Sequence, residues 1–151
     1  MERTRSIWTL AIVSVALFMV TLDNLVVTNA LVSIREDLGA TLEELEWTVN
    51  AYTLSFAVFL LTGAALGDRL GRRAVFATGL GIFTIASAAA AVAPTTDALI
   101  ASRALQGLGA AVITPLSLTL LCDAFAADKR GLALGLWSGV SGLGVALGPV
   151  V

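Results

Sequence analysis

The chain contains no histidine, a single cysteine and very little charge. Each scarcity closes off some chemistry. Without histidine there is neither the commonest metal ligand nor the side chain whose charge changes near neutral pH, so proton chemistry must run through carboxylates. One cysteine, Cys122, excludes an intrachain disulfide and any multi-cysteine metal site. It reads as a small apolar side chain rather than a reactive thiol. Only 13% of residues are charged and the net charge is −2, which offers no basic surface to a nucleic acid. No nucleophile–base pair and no metal constellation is visible, so the chain does not read as an enzyme.

Apolar residues take the place of what is scarce. Of 151 residues, 58% are hydrophobic, and the mean hydropathy is +0.92. Soluble domains hold about 45–50% apolar residues. A soluble domain also needs a polar outer face on each helix, and long stretches here have none. Crossing a hydrocarbon core of about 30 Å takes roughly 20 apolar residues in a helix. Only helices serve, because backbone polar groups in lipid must be satisfied within the segment. Five segments qualify, about 7–30, 45–66, 74–93, 98–121 and 131–151. The fold class is therefore an all-α membrane protein of about five transmembrane helices, with residues 1–151 as one incomplete N-terminal transmembrane unit. The first run exceeds the roughly 7–15 apolar residues of a signal peptide, so it is a retained span.

Arginine and lysine set the orientation. With the N-terminus inside, the inner segments hold Arg3, Arg5, Arg69, Arg72, Arg73, Lys129 and Arg130, and the outer segments hold only Arg35. The connection between spans 1 and 2 is acidic, with Glu36, Asp37, Glu43, Glu44 and Glu46. "PTTD", 94–97, is expected to form a tight outer turn in which Asp97 caps the fourth helix. This places a multi-pass protein in the cell membrane with a cytoplasmic N-terminus. The chain stops at "GPVV" with no polar flank, so it is expected to be an N-terminal fragment or a truncated product.

Two ionisable residues remain at membrane depth, Asp23 and Arg103. Such residues face a bundle interior or an aqueous cavity and mark functional sites. At 1.5 Å per residue, Asp23 lies roughly 6–10 Å from the outer end of helix 1, and Arg103 about 7–8 Å from the outer start of helix 4. The two share a level. Such a pair can merely lock two helices together. It can also exchange a proton as its surroundings change, and a cationic substrate can compete for the carboxylate. Thr21, Asn24 and Thr28 form one stripe on helix 1, with Asp23 pointing elsewhere. Gln106 lies one turn from Arg103 and can hydrogen-bond on the same face. Gly107 and Gly109 admit a close neighbour, and Pro115 can kink the helix.

In "GDRLGRR", 67–73, four of seven residues are charged. The three arginines hold this loop on the cytoplasmic side, and Gly67 and Gly71 permit a tight reversal. Asp68 is not needed for anchoring. It points to a charge network with Arg72 and with Asp123 at the inner end of helix 4. In the fifth segment Gly131, Gly135, Gly139 and Gly142 share one face, and Gly144 and Gly148 lie nearly opposite Gly135. Two small faces predict a helix wedged between two others, with Pro149 bending its outer end.

Four motifs then stand in order. They are "LDNLVVTNALV" at 22–32, carrying Asp23, and "AALGDRLGRR" at 64–73, carrying Asp68, Arg69, Gly71, Arg72 and Arg73. A helix 4 pattern follows at Leu99, Arg103, Gln106, Gly107, Gly109, Ala110 and Ala111, and a helix 5 pattern at Gly135, Gly144, Gly148 and Pro149. Together they cover all five spans. They resemble the N-terminal part of a major facilitator superfamily transporter, most like the fourteen-span drug:proton antiporters. The resemblance implies proton-coupled efflux of hydrophobic or cationic small molecules, with the proton gradient as energy source and no cofactor. It implies that Asp23 is an embedded acid near the cavity and that Arg103 takes part in proton coupling. The 67–73 motif with Asp123 becomes a conformational latch against the second half, and helix 5 lies where the two halves meet. The implied partners are the bilayer, a small-molecule substrate, protons and the C-terminal half. On this reading the 151 residues alone are inactive. A facilitator or importer of the same fold, or a non-transporting membrane fragment, are the alternatives.

Overall fold

A computed structural model describes residues 2–147. It contains five helices: α1 (Glu2–Leu38), α2 (Leu42–Leu70), α3 (Arg72–Ala91), α4 (Thr96–Ala124) and α5 (Ala127–Leu147). Among the described residues α1 to α4 are long and apolar enough to cross a membrane. The described part of α5 opens with Asp128, Lys129 and Arg130, and the expected span continues into 148–151, outside the described residues.

The helices overrun the expected spans because polar ends extend them. α1 has 37 residues, about 55 Å at 1.5 Å per residue, well beyond the hydrocarbon core. The acidic residues expected in the 1–2 connection therefore sit on helix ends. Glu36 and Asp37 close α1, and Glu43, Glu44 and Glu46 open α2. Only Gly39, Ala40 and Thr41 join them, and Gly39 adopts φ +64°, the left-handed turn that favours glycine. Thr41 and Glu44 form a reciprocal capping box. The Thr41 N–H donates to Glu44 Oε2 at 2.7 Å, and the Glu44 N–H to Thr41 Oγ1 at 3.3 Å.

Two expectations about turns need correction. The cap of α4 is Thr95, whose hydroxyl accepts from the Ala98 N–H at 3.3 Å; Asp97 lies in the first turn instead. There its carboxylate only faces the positive end of the helix dipole. The reversal between α2 and α3 rests on Gly71 alone, at φ +99°. Gly67 is inside α2, where an added Cβ would run into the Leu116 side chain of α4.

α4 is the hub of the bundle. It packs most extensively on α2 and α3, and its residues dominate the buried set, with Ala110, Ala111, Ile113 and Ser117 fully enclosed. The close approach has a specific cause. Gly107 faces α2, where an added Cβ would meet the Tyr52 carbonyl, and Gly109 faces α3, where an added Cβ would lie 2.8 Å from the Phe83 nitrogen. Two residues apart on a helix is about 200°, so one short motif lets two neighbours in on opposite sides. Away from α4 the outer faces are apolar and open, as at Leu61 and Ile85, which suits hydrocarbon as the surrounding medium.

α5 lies against α1 and, less extensively, α4, but its longer glycine stripe faces neither. Gly144 packs on α1, with a Cβ position 3.3 Å from Phe18 and 3.4 Å from Thr21. Gly131, Gly135, Gly139 and Gly142 meet nothing within 4 Å. Gly148 and Pro149 lie outside the described residues.

Candidate functional site

Four helices converge on Arg103. Its side chain is 1% exposed, so its charge must be met inside the bundle. Nη1 donates to Asp23 Oδ2 at 2.5 Å and to Gln106 Oε1 at 3.0 Å. Nε donates to the Thr48 carbonyl at 3.3 Å, and Nη2 to Asn24 Oδ1 at 3.4 Å. The guanidinium carbon lies 4.5 Å from the centre of the Tyr52 ring, a cation–π contact. Gln106 closes the cluster from the other side. Its Nε2 donates to Asp23 Oδ1 at 2.7 Å and to Ser87 Oγ at 2.8 Å. Both carboxylate oxygens of Asp23 are thus occupied, while 17% of its side chain remains exposed.

The geometry explains how these residues meet. Gly107, one turn beyond Arg103, admits the Tyr52 backbone against α4 and so brings the Tyr52 ring to the guanidinium. Gly109 admits α3, which carries Ser87. α1 contributes consecutive residues rather than one. Asp23 does not point away from Asn24's surroundings, because the branched guanidinium reaches both. The other polar groups of that stripe turn inward on α1 itself. Thr21 donates to the Leu17 carbonyl and Thr28 to the Asn24 carbonyl.

Sequence reading had overlooked Tyr52, Thr48 and Ser87. Tyr52 carries a usable signal: it is the only tyrosine, and a polar tip within an apolar span calls for a partner. Thr48 acts through its carbonyl, which no side-chain pattern reveals. Beside the cluster a cleft of about 390 Å³ is lined by Asn24, Leu25, Tyr52, Phe56, Thr114 and Thr21. The Tyr52 and Phe56 rings stack within it, 6.3 Å apart and 6° from parallel. The Tyr52 hydroxyl is buried without a hydrogen bond.

A second charge cluster lies at the other end of the bundle. Arg72 Nε and Nη2 both donate to Asp68 Oδ1 at 3.0 Å, and Nη1 donates to Asp123 Oδ2 at 2.6 Å. The arginine joins the end of α2, the start of α3 and the end of α4. It is open to solvent: side-chain exposures are 37% for Arg72, 63% for Asp68 and 57% for Asp123. Such pairs are worth about 0–1 kcal/mol, so this junction breaks easily, in contrast to the buried one. Arg69 and Arg73 are exposed and make no ion pair among the described residues.

Helices of this length and apolarity, wrapped around one buried ion pair, define a multi-pass membrane protein. The chain belongs to the Major Facilitator Superfamily, whose profile matches residues 13–151. The five helices are the N-terminal portion of that transporter fold. The chain is similar to the tetracenomycin C resistance and export protein of Streptomyces glaucescens, 41% identical over 143 residues, which is 95% of this chain and 27% of that protein. It is likewise similar to the methylenomycin A resistance protein of Streptomyces coelicolor, 44% identical over 134 residues, covering 88% and 28%. A multidrug resistance protein of Mycobacterium tuberculosis is 37% identical over 152 residues, covering 100% of this chain and 28% of the relative. The chain thus spans little more than a quarter of the length of these relatives.

Proposed function

We propose that the intact gene product is a proton-coupled exporter of hydrophobic or cationic small molecules, with its N-terminus in the cytoplasm. The observation that carries this reading is the Asp23–Arg103 pair. It is a carboxylate at membrane depth, hydrogen-bonded at both oxygens, held by a buried cation and still 17% exposed, next to a cleft lined by Asn24 and Tyr52. Protonating Asp23 removes one charge from a cluster that four helices share. The remaining Arg103 charge then lacks its partner, so the packing that favoured one arrangement of helices weakens. A cationic or polar substrate entering the cleft would meet Asn24 and Tyr52, both of which touch Arg103. Resistance and export proteins among the relatives support the substrate class, and the excess of arginine at the Arg5 and Arg72 ends supports the orientation.

In this scheme the Asp68–Arg72–Asp123 junction is a weak latch that joins and releases as the two halves rock. Gly131, Gly135, Gly139 and Gly142, which meet nothing within 4 Å, form the face offered to the second half, while Gly144 packs on α1. The test is substrate uptake into everted membrane vesicles carrying the intact gene product under an imposed pH gradient. Asp23→Asn is expected to abolish gradient-driven uptake while the protein still inserts. Full coupling in Asp23→Asn would remove Asp23 from the mechanism.

A further inference from the structure

The contacts of Arg103 divide by helix, and the two sides differ in kind. α1 offers a carboxylate and an amide oxygen, Asp23 Oδ2 at 2.5 Å and Asn24 Oδ1 at 3.4 Å. α2 offers the Thr48 carbonyl at 3.3 Å and the face of the Tyr52 ring, 4.5 Å from the guanidinium carbon. Arg103, Thr48 and Tyr52 are all buried. The two helices also meet α4 differently. Gly63 and Gly67 of α2 and Gly107 of α4 let those two helices approach closely, whereas no described glycine brings α1 to α4. α4 accordingly packs far more extensively on α2 than on α1. The Tyr52 ring is fixed from two directions. Its own backbone carbonyl lies against Gly107, and Phe56 stacks on it at 6.3 Å. Its hydroxyl makes no hydrogen bond, so the aromatic face is what this side chain supplies.

We propose that Tyr52 is a positioning residue that keeps Arg103 on α2 when Asp23 is neutral, so that proton uptake loosens the α1–α4 contact and spares the α2–α4 contact. This rests on the reading that Asp23 takes up a proton during transport. A carboxylate supplies charge only while it is ionised. Once Asp23 is neutral, α1 holds the guanidinium by neutral hydrogen bonds, about half as strong as charge-assisted ones. The quadrupole of an aromatic ring attracts a cation whatever the state of Asp23, and most strongly where water is excluded. The Thr48 carbonyl likewise keeps its dipole. α2 therefore becomes the stronger partner as α1 becomes the weaker one. The glycine packing between α2 and α4 keeps the ring within reach while this happens. The proton then acts as a choice between two neighbours of α4, not as a uniform loosening of the cluster.

Hydrogen–deuterium exchange in the intact gene product, held in lipid nanodiscs, reads the two contacts separately. Asp23→Asn stands for the neutral acid. It should speed exchange at the amides of 20–28 on α1 and leave those of 46–54 on α2 unchanged. Phenylalanine with zero to three ring fluorines at position 52 then drains the π face at nearly constant size. In the Asp23→Asn background, exchange at 46–54 should rise with each fluorine, to roughly tenfold with three. Tyr52→Phe without fluorine should match tyrosine. A purely packing role for the ring would not follow the fluorine count. The transport reading is tested by uptake in Asp23→Asn, so either can fail alone. Equal rises on α1 and α2 in Asp23→Asn, exchange that ignores the fluorine count, or a rise in Tyr52→Phe as large as with three fluorines would each overturn the proposal.

Discussion

Removing either half of the Asp23–Arg103 pair should cost unequal amounts of stability. The asymmetry follows from which charge can be neutralised. Asp23→Asn leaves a guanidinium that is 1% exposed and cannot lose its proton. Breaking a buried pair in this way costs about 3–5 kcal/mol. The Thr48 carbonyl, Gln106, Asn24 and the Tyr52 ring stay in place, and the new amide oxygen can still accept a hydrogen bond. The cost therefore falls at the low end, about 3 kcal/mol. Arg103→Gln leaves a carboxylate that is 17% exposed, and a carboxylate without its cation can take up a proton. What remains is imperfect hydrogen bonding, about 1–2 kcal/mol. The double variant holds no charge and should return near wild-type stability, since neutral replacements of buried pairs are often tolerated. The coupling energy is then on the order of 4–5 kcal/mol. Unfolding by sodium dodecyl sulfate in mixed micelles, followed by circular dichroism, measures all four proteins. Export should not return in the double variant, which separates the structural role of the pair from transport. Arg103→Gln costing more than Asp23→Asn, or additive losses in the double variant, would refute the reasoning.

Other substitutions test the surroundings of the pair. Tyr52→Phe removes only an unbonded hydroxyl and should leave stability unchanged or slightly raised, whereas Tyr52→Leu loses a desolvated cation–π contact of roughly 2 kcal/mol; equal losses in the same unfolding assay would mean that the hydroxyl has a partner. Gly107→Ala drives a methyl into the Tyr52 carbonyl and should cost about 1–3 kcal/mol. Gly67→Ala meets only the flexible end of Leu116 and should cost less, and the reverse order would show that α2 and α4 do not meet as described. Arg72→Gln should change stability by less than about 1 kcal/mol yet alter the export rate in vesicles, because an exposed junction contributes little energy to any single state.

Much of the architecture was legible before any coordinates. Hydrophobic run length located four spans, because the hydrocarbon core imposes a length that composition alone reveals. Asp23 and Arg103 stood out for a related reason, since charge at that depth is costly without a purpose. The equal depth of the two followed from the rise of a helix. Element ends were less legible. α1 continues to Leu38 because its polar last turn is helical whether or not lipid surrounds it, and Thr95 competes with Asp97 for the same cap through local geometry alone. Small size marked Gly107 and Gly109 as points of close approach. It could not say that they serve two different helices.

Sequence by itself determined the class of protein, the order of the first four spans, and the identity of the two charges that membrane burial makes conspicuous. These follow from one-dimensional quantities: run length, charge position and spacing. Only the tertiary structure decided who meets whom. It joined Asp23 and Asn24 to Arg103 across 80 and 79 residues, brought in Tyr52, Thr48 and Ser87, and moved Gly67 from a turn to a helix contact. It also showed that Gly144 has a partner while Gly131, Gly135, Gly139 and Gly142 meet none among the described residues. The physical reason is that partner choice depends on which glycines let backbones approach and on how a branched guanidinium distributes its donors. Neither is a property of any single stretch of chain.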